Sequence, residues 1–324
     1  MPHTAPKTAC VSCGLAALAT CLFVLLSLAP AQAKEPTIFL ISHAGAGDPF
    51  WGIEFKGARD AAQRLGVDLH ILAPEFPNDI MRQRELLEQA ILAEPDGIAT
   101  TLSHPTAFTP SLKAAKQRGI PVVIFNSIPT DVDRTTTPFL AYIGMNDFTA
   151  GQRAARQALA SGKLTGRVCV AAQQFGVPGI MARLRGLRSI LEPKGLNVDV
   201  VDMTADPALA VSAMRNYLER HKDVSALFSL GPVVTHALVG LLQERRDLYV
   251  ASFDLSPQTV QLIEAGVVAF TIDQQPYMQS FLAVTLLNLA ARYALTPTDI
   301  NTGVGIVDKT NVQAVQDLAR QGIR

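Results

Sequence analysis

From Ile38 to Tyr293 the chain alternates short apolar runs with amphipathic stretches, and this alternation limits the folds open to it. The apolar runs at 38–42, 67–73, 97–101, 121–125, 141–144, 167–172, 197–202, 226–230, 248–253 and 267–272 read as strands. Continuous apolar runs, rather than strict alternation, mark strands buried on both faces of a parallel sheet. Between them, helical patterns run at 79–93, 106–117, 146–160, 178–193, 207–220, 232–244 and 276–293. Pro49, Pro178, Pro207, Pro232 and Pro276 suit first-turn helix positions, where a missing N–H costs nothing. A repeating strand–helix order implies parallel sheets covered by helices on both faces. The strands are too many for one five- or six-stranded sheet, and a loop rich in Pro and Thr at 128–139 falls near the middle. Two similar α/β lobes fit both facts better than the alternative, a closed eight-stranded barrel.

Residues 1–33 differ from the rest. Lys7 is their only charged side chain, an apolar run extends from Val11 to Leu28, and Ala31-Gln32-Ala33 fits a small-x-small cleavage site. This is the pattern of a secretory signal peptide. The alternatives are an uncleaved anchor and, at Cys21, a lipid attachment site. Cys10, Cys13 and Cys21 lie in this leader, so the CxxC at 10–13 is not read as a metal or redox motif, and only Cys169 remains, in an apolar strand. The chain carries 28 basic and 28 acidic side chains. That balance gives no electrostatic footprint for nucleic acid.

In open α/β sheets, ligands bind at the carboxyl ends of strands. The first such end is the richest: His43, then Asp48 as an N-cap, Pro49, and the aromatic pair Phe50-Trp51. Phe50 and Trp51 read equally as core and as a ligand platform. Later strand ends supply Asn126-Ser127, Asp254 and the polar run Thr271 to Gln275. Asp254 also reads as an N-cap for a helix starting near Pro257. Of Arg183, Arg185 and Arg188, one can face a cleft while the others are solvated. No GxSxG or GxxxxGK[ST] occurs, and the histidines show no metal-binding spacing. No catalytic residue, cofactor or metal is therefore assigned.

In their order and spacing, GDPFWGIEFKGA, RGIPVVIFNS, YIGMNDFTAG, RLRGL, FDLSP and TIDQQPY resemble the periplasmic sugar-binding proteins of the ribose-binding type, the solute receptors of ABC importers. The resemblance covers nearly all the chain after the leader. It implies a type I periplasmic binding protein fold: two Rossmann-like lobes with parallel sheets, joined by a three-crossing hinge. One lobe would hold 34–144 and 275–302, the other 145–274 and 303–324. It implies a monomer in the periplasm that captures a sugar or similar polyhydroxylated ligand and delivers it to a membrane permease; the alternative is signalling to a membrane histidine kinase or chemoreceptor. It implies ligand contacts from Asp48, Phe50, Trp51, Asn126, Arg183, Asp254 and Gln274, with His43 as an added polar contact. Asn126-Ser127 replaces the pattern's Asp-Arg, and Gly231-Pro232 replaces its Asn-Asp. Ribose is therefore not the expected ligand. His43, Trp51, Gln173 and Asp273 are expected to compensate for another one, such as a polyol, an inositol-like ring or a furanosyl signal molecule. Arg183→Ala and Trp51→Ala are expected to abolish binding without unfolding the protein.

Overall fold

The alternating pattern folds into two separate six-stranded sheets, as the computed structural model describes for residues 1–5, 34–45, 47–173, 175–203 and 207–324. The expected leader, with Cys10, Cys13, Cys21 and its Ala31-Gln32-Ala33 site, lies outside the described residues except for 1–5. The chain divides into two units, Met1–Glu35 and Pro36–Arg324, and every strand lies in the second. Among the described residues no helix is long and apolar enough to cross a membrane.

The first sheet contains β1 (Thr37–Ile41), β2 (Asp68–Leu72), β3 (Gly97–Thr100), β4 (Val122–Phe125), β5 (Ala141–Gly144) and the short β11 (Ile300–Asn301), in the order β11-β5-β4-β3-β1-β2. The second contains β6 (Arg167–Gln173), β7 (Asn197–Met203), β8 (Val224–Ser229), β9 (Tyr249–Phe253), β10 (Phe270–Asp273) and β12 (Gly305–Asp308), in the order β12-β10-β9-β8-β6-β7. Two separate sheets exclude the closed barrel. All pairings are parallel except that of β12 with β10, which is antiparallel. The chain passes from one sheet to the other after β5, after β10 and after β11.

Each sheet is covered on both faces, which explains the unbroken apolar runs. In β4, Val123 and Phe125 join one core cluster with Ile38, Leu40 and Ile143; Val122 and Ile124 join another with Ile41 and Ile98. In the second sheet, Cys169, Ala171 and Leu227 pack on one face, and Val168, Val170 and Phe228 on the other. Successive strand side chains point to opposite faces, so a strand apolar at every position is what two covered faces require. Cys169 is fully buried against Met214, and burial pushes its thiol pKa up.

Several boundaries differ from the sequence reading. The helix expected at 232–244 is two helices, Pro232–Ala237 and Val239–Glu244, meeting at Leu238. The strand expected at 267–272 spans Phe270–Asp273, and the helix expected from Thr106 starts at Thr109. The edge strands β11 and β12 and the helix Val312–Arg320, which lie beyond the alternating stretch that ends at Tyr293, were not read. Ser256, not Asp254, caps the helix Pro257–Glu264.

Two helix pairs are in backbone contact, and glycines allow it. A Cβ on Gly57 would overlap the carbonyl oxygen of Tyr277, between the helices Pro49–Leu65 and Pro276–Tyr293. A Cβ on Gly151 would overlap the carbonyl oxygen of Arg183, between the helices Asp147–Ala160 and Pro178–Leu191. Gly52, by contrast, is exposed in a helix with open space around it. Gly151→Ala is expected to destabilise the ligand-free protein by about 1–3 kcal/mol through overpacking. Gly52→Ala is expected to stabilise it by up to about 1 kcal/mol by removing a helix-interior glycine. Thermal unfolding of the two variants checks the pair, which should shift in opposite directions.

Candidate functional site

The strand ends and helix starts of the two sheets converge on one cavity of about 460 Å³, including the solvent at its mouth. Its walls include His43, Asp48, Phe50, Trp51, Asn126, Arg183, Asp254 and Gln274, so the structure brings together all eight residues singled out by sequence. Ser127, Asp147, Gln173, Val177, Gly179, Ile180 and Pro232 complete it. The helices starting at Pro49, Pro178, Pro232 and Pro276 each have proline in the first turn. The first two bring Phe50, Trp51, Gly179, Ile180 and Arg183 to the wall.

On the first side, Asp48 is the N-cap of the helix Pro49–Leu65, accepting from the Phe50 N–H at 2.9 Å. Burial raises its pKa and that bond lowers it in part. Phe50 and Trp51 pack edge-to-face with centroids 5.3 Å apart. Both belong to the apolar core and both line the cavity, so the two readings of this pair are one fact. Trp51 also meets His43 edge-on at 4.8 Å. His43 Nδ1 lies 2.9 Å from the Thr101 hydroxyl, and burial lowers its pKa to about 4. His43 is thus a neutral group at pH 7, not a cation.

On the opposite side, Arg183 is buried. Its Nε donates to Asp147 Oδ1 at 2.8 Å and its Nη1 to the Leu230 carbonyl at 2.9 Å. Its guanidinium carbon lies 4.9 Å from the Phe253 ring centroid. Arg185 is exposed and Arg188 half-buried, as three arginines within six positions on one helix require. Gly179 leaves room for the Asp147 carboxylate, since a Cβ there would sit 2.9 Å from Oδ2. Asp254 follows β9 in a left-handed conformation with φ +72°. Its Oδ1 accepts from Gln274 Nε2 at 2.6 Å, while Oδ2 stands 3.8 Å from Arg183 Nη1. Burial pushes its pKa up to about 7, against the pull of Arg183 and the Gln274 bond.

Between the sides, Asn126 Nδ2 donates to Gln274 Oε1 at 3.2 Å and to Gln279 Oε1 at 3.1 Å. Asn126, Asp254 and Gln275 all have positive φ. Asn and Asp tolerate this conformation through their short polar side chains; Gln275 does not share that advantage. Its cost is offset by bonds from its N–H to Asp273 and from its side chain to the Thr302 carbonyl.

The sequence reading missed Asp147 as a wall residue, placing it only in the first turn of the helical pattern at 146–160. A buried arginine needs an anionic partner, and Asp147 supplies it from the start of the helix Asp147–Ala160. Gln173 lines the cavity, as expected, and accepts from the Val234 N–H. Asp273, expected to help compensate, does not: it is fully buried, off the cavity wall, and paired with Arg324 at 2.6 Å.

Burial also changes the expectation for Arg183 and Trp51, both of which carry stability. Trp51→Ala is expected to cost about 3–5 kcal/mol as a core truncation. Arg183→Ala is expected to cost about the same, because it strands Asp147 and Asp254. Denaturant unfolding measures both.

Behind the aromatic pair, Glu54 is fully buried and neither carboxyl oxygen has a hydrogen-bond partner. Burial raises its pKa well above 4.5. The folded protein therefore holds a proton that the unfolded chain releases above about pH 4.5, so stability falls as pH rises from there to the folded-state value. Glu54→Gln is expected to raise the melting temperature at pH 8 and to leave it nearly unchanged at pH 4. Melting curves across that range check the sign.

The chain is similar to known proteins in both sequence and fold. The periplasmic binding protein domain family matches residues 38–294. The xylose/arabinose-binding protein of Sulfolobus acidocaldarius is 30% identical over 297 residues, covering 86% of this chain and 73% of that protein. A periplasmic sugar-binding protein of an ABC sugar transporter from Legionella pneumophila is 35% identical, with a TM-score of 0.79 over 83% of this chain and all of that one. A carbohydrate transporter protein from Acidothermus cellulolyticus, solved with myo-inositol, is 28% identical, with a TM-score of 0.82 over 90% of this chain and all of that one.

Proposed function

The chain belongs to the periplasmic binding protein domain family, and from this premise we propose that it is a periplasmic receptor that captures a sugar or related polyol in the cavity and delivers it to an ABC importer. The observation that carries this reading is the composition of the wall: two aromatic rings beside Asp, Asn, Gln and Arg side chains. A sugar offers apolar C–H faces and many hydroxyls, each both donor and acceptor. Aromatic faces cover the former, and charged or amide groups bond the latter directionally. Asp48, Phe50, Trp51, Asn126, Arg183, Asp254, Gln274 and His43 are the proposed contacts, joined by Ser127 and Gln173.

The proposed lobes are 34–144 with 275–302, and 145–274 with 303–324. Membership of the sheets supports them: β1–β5 and β11 form one, β6–β10 and β12 the other. In hinge proteins of this kind the ligand closes the lobes on itself. The proposed mature protein begins at Lys34, acts as a monomer and turns over no substrate.

A thermal-shift screen against inositols, pentoses and hexoses tests the reading. A true ligand at a hundredfold over its dissociation constant should stabilise by about 2.7 kcal/mol. Asn126→Ala, which removes a contact from the wall, should weaken that ligand at least tenfold by calorimetry. A screen without any shift, or recovery of a chemically altered sugar, counts against the reading. Mass spectrometry of the exported protein reports whether Lys34 is its first residue.

A further inference from the structure

The cavity wall holds three carboxylates, Asp48, Asp147 and Asp254, and among the described residues Arg183 is its only lysine or arginine. Arg183 spends its Nε on Asp147 and one Nη on the Leu230 carbonyl. Asp254 Oδ2 shares the same guanidinium through a long ion pair at 3.8 Å, beyond hydrogen-bond reach, so one cation serves two buried carboxylates. Asp48 bonds the Phe50 N–H and has no basic side chain within ion-pair distance among the described residues. His43, the remaining basic group on the wall, is buried against Thr101 and Trp51. Independently of the acids, the Ser127 hydroxyl is buried on the same wall with no hydrogen-bond partner, an orphan that a ligand would satisfy.

We propose that the preferred ligand is a cationic polyol, an amino sugar or aminocyclitol, whose ammonium compensates the carboxylate of Asp48, the one acid of the wall without an ion pair among the described residues. This rests on the sugar-receptor reading and deepens it. A neutral hydroxyl can bond a carboxylate but leaves its charge in place. An ammonium supplies three N–H donors and cancels a charge that has lost its water. The raised pKa of Asp48, with burial as the first cause, fits a carboxylate short of a counter-charge. The same excess of negative charge opposes sugar phosphates and uronic acids.

The test is calorimetry of the purified protein at pH 7 with matched pairs: D-glucosamine and D-glucose, D-galactosamine and D-galactose, an inosamine and myo-inositol. D-Glucuronate serves as the anionic probe. In at least one pair the amine should bind ten times more tightly than its hydroxyl partner, with no binding of glucuronate. Asp48→Asn should cut that preference at least fivefold; asparagine also caps helices well, so the fold is kept. Neutral members binding as tightly as the amines, tighter binding of glucuronate, or an unchanged preference in Asp48→Asn would each overturn the proposal and leave the sugar receptor standing. If neutral and charged members alike fail to bind, the receptor reading falls with it.

Discussion

A short chain of side-chain hydrogen bonds ties the two sheets together at their strand ends. Asn126, after β4 of the first sheet, donates to Gln274, after β10 of the second, and Gln274 donates to Asp254, after β9. Gln279, on the helix that returns to the first sheet, accepts from Asn126 and donates to the Gln274 carbonyl. The cavity depends on this chain, because each member has one end fixed by a neighbour and so presents the wall in a set orientation. Two of the residues, Asn126 and Asp254, occupy left-handed backbone positions that few residue types accept. The local chemistry that turns the strand end is thus the same chemistry that can meet a hydroxyl.

Charge divides the cavity unevenly. Arg183 and Asp147 form a short buried pair, with Asp254 at longer range on the same guanidinium and the guanidinium lying over Phe253. That pair is positioned by helix packing and belongs to the framework as much as to the wall. Asp48 stands at the opposite side on a helix cap, with its position fixed by a single backbone N–H. Removing either side alone would leave polar groups without partners, which is why stability and recognition are entangled here.

Much of this was legible in the sequence. The apolar runs gave both sheets, since strands buried on two faces need side chains that are apolar throughout. The prolines marked helix starts at the wall, and the residues after β1, β4, β9 and β10 were read as wall residues because parallel sheets offer their carboxyl ends to ligands. What was not legible depended on partners distant in sequence. Asp147 read as an ordinary helix start until Arg183, 36 residues on, folded back against it. Asp273 read as one more polar strand-end group, while its partner is Arg324 near the far end of the chain. Leu238 interrupts a helix, and Gly240 two residues on was too weak a signal to place the break. The core role of Trp51 was visible only as half of an alternative whose two halves are both true.

The glycine contacts between helices bear on how such a molecule can move. Helices touching backbone to backbone at Gly57 and Gly151 have no layer of side chains between them to shear or slide. Each sheet with its paired helices is therefore a stiff arm, and compliance is left to the three connections that pass between the sheets. One of these holds Gln275 in a left-handed conformation, tethered at both backbone and side chain. Any change in the angle between the sheets would have to be taken up by the torsions of those connections, Gln275's among them.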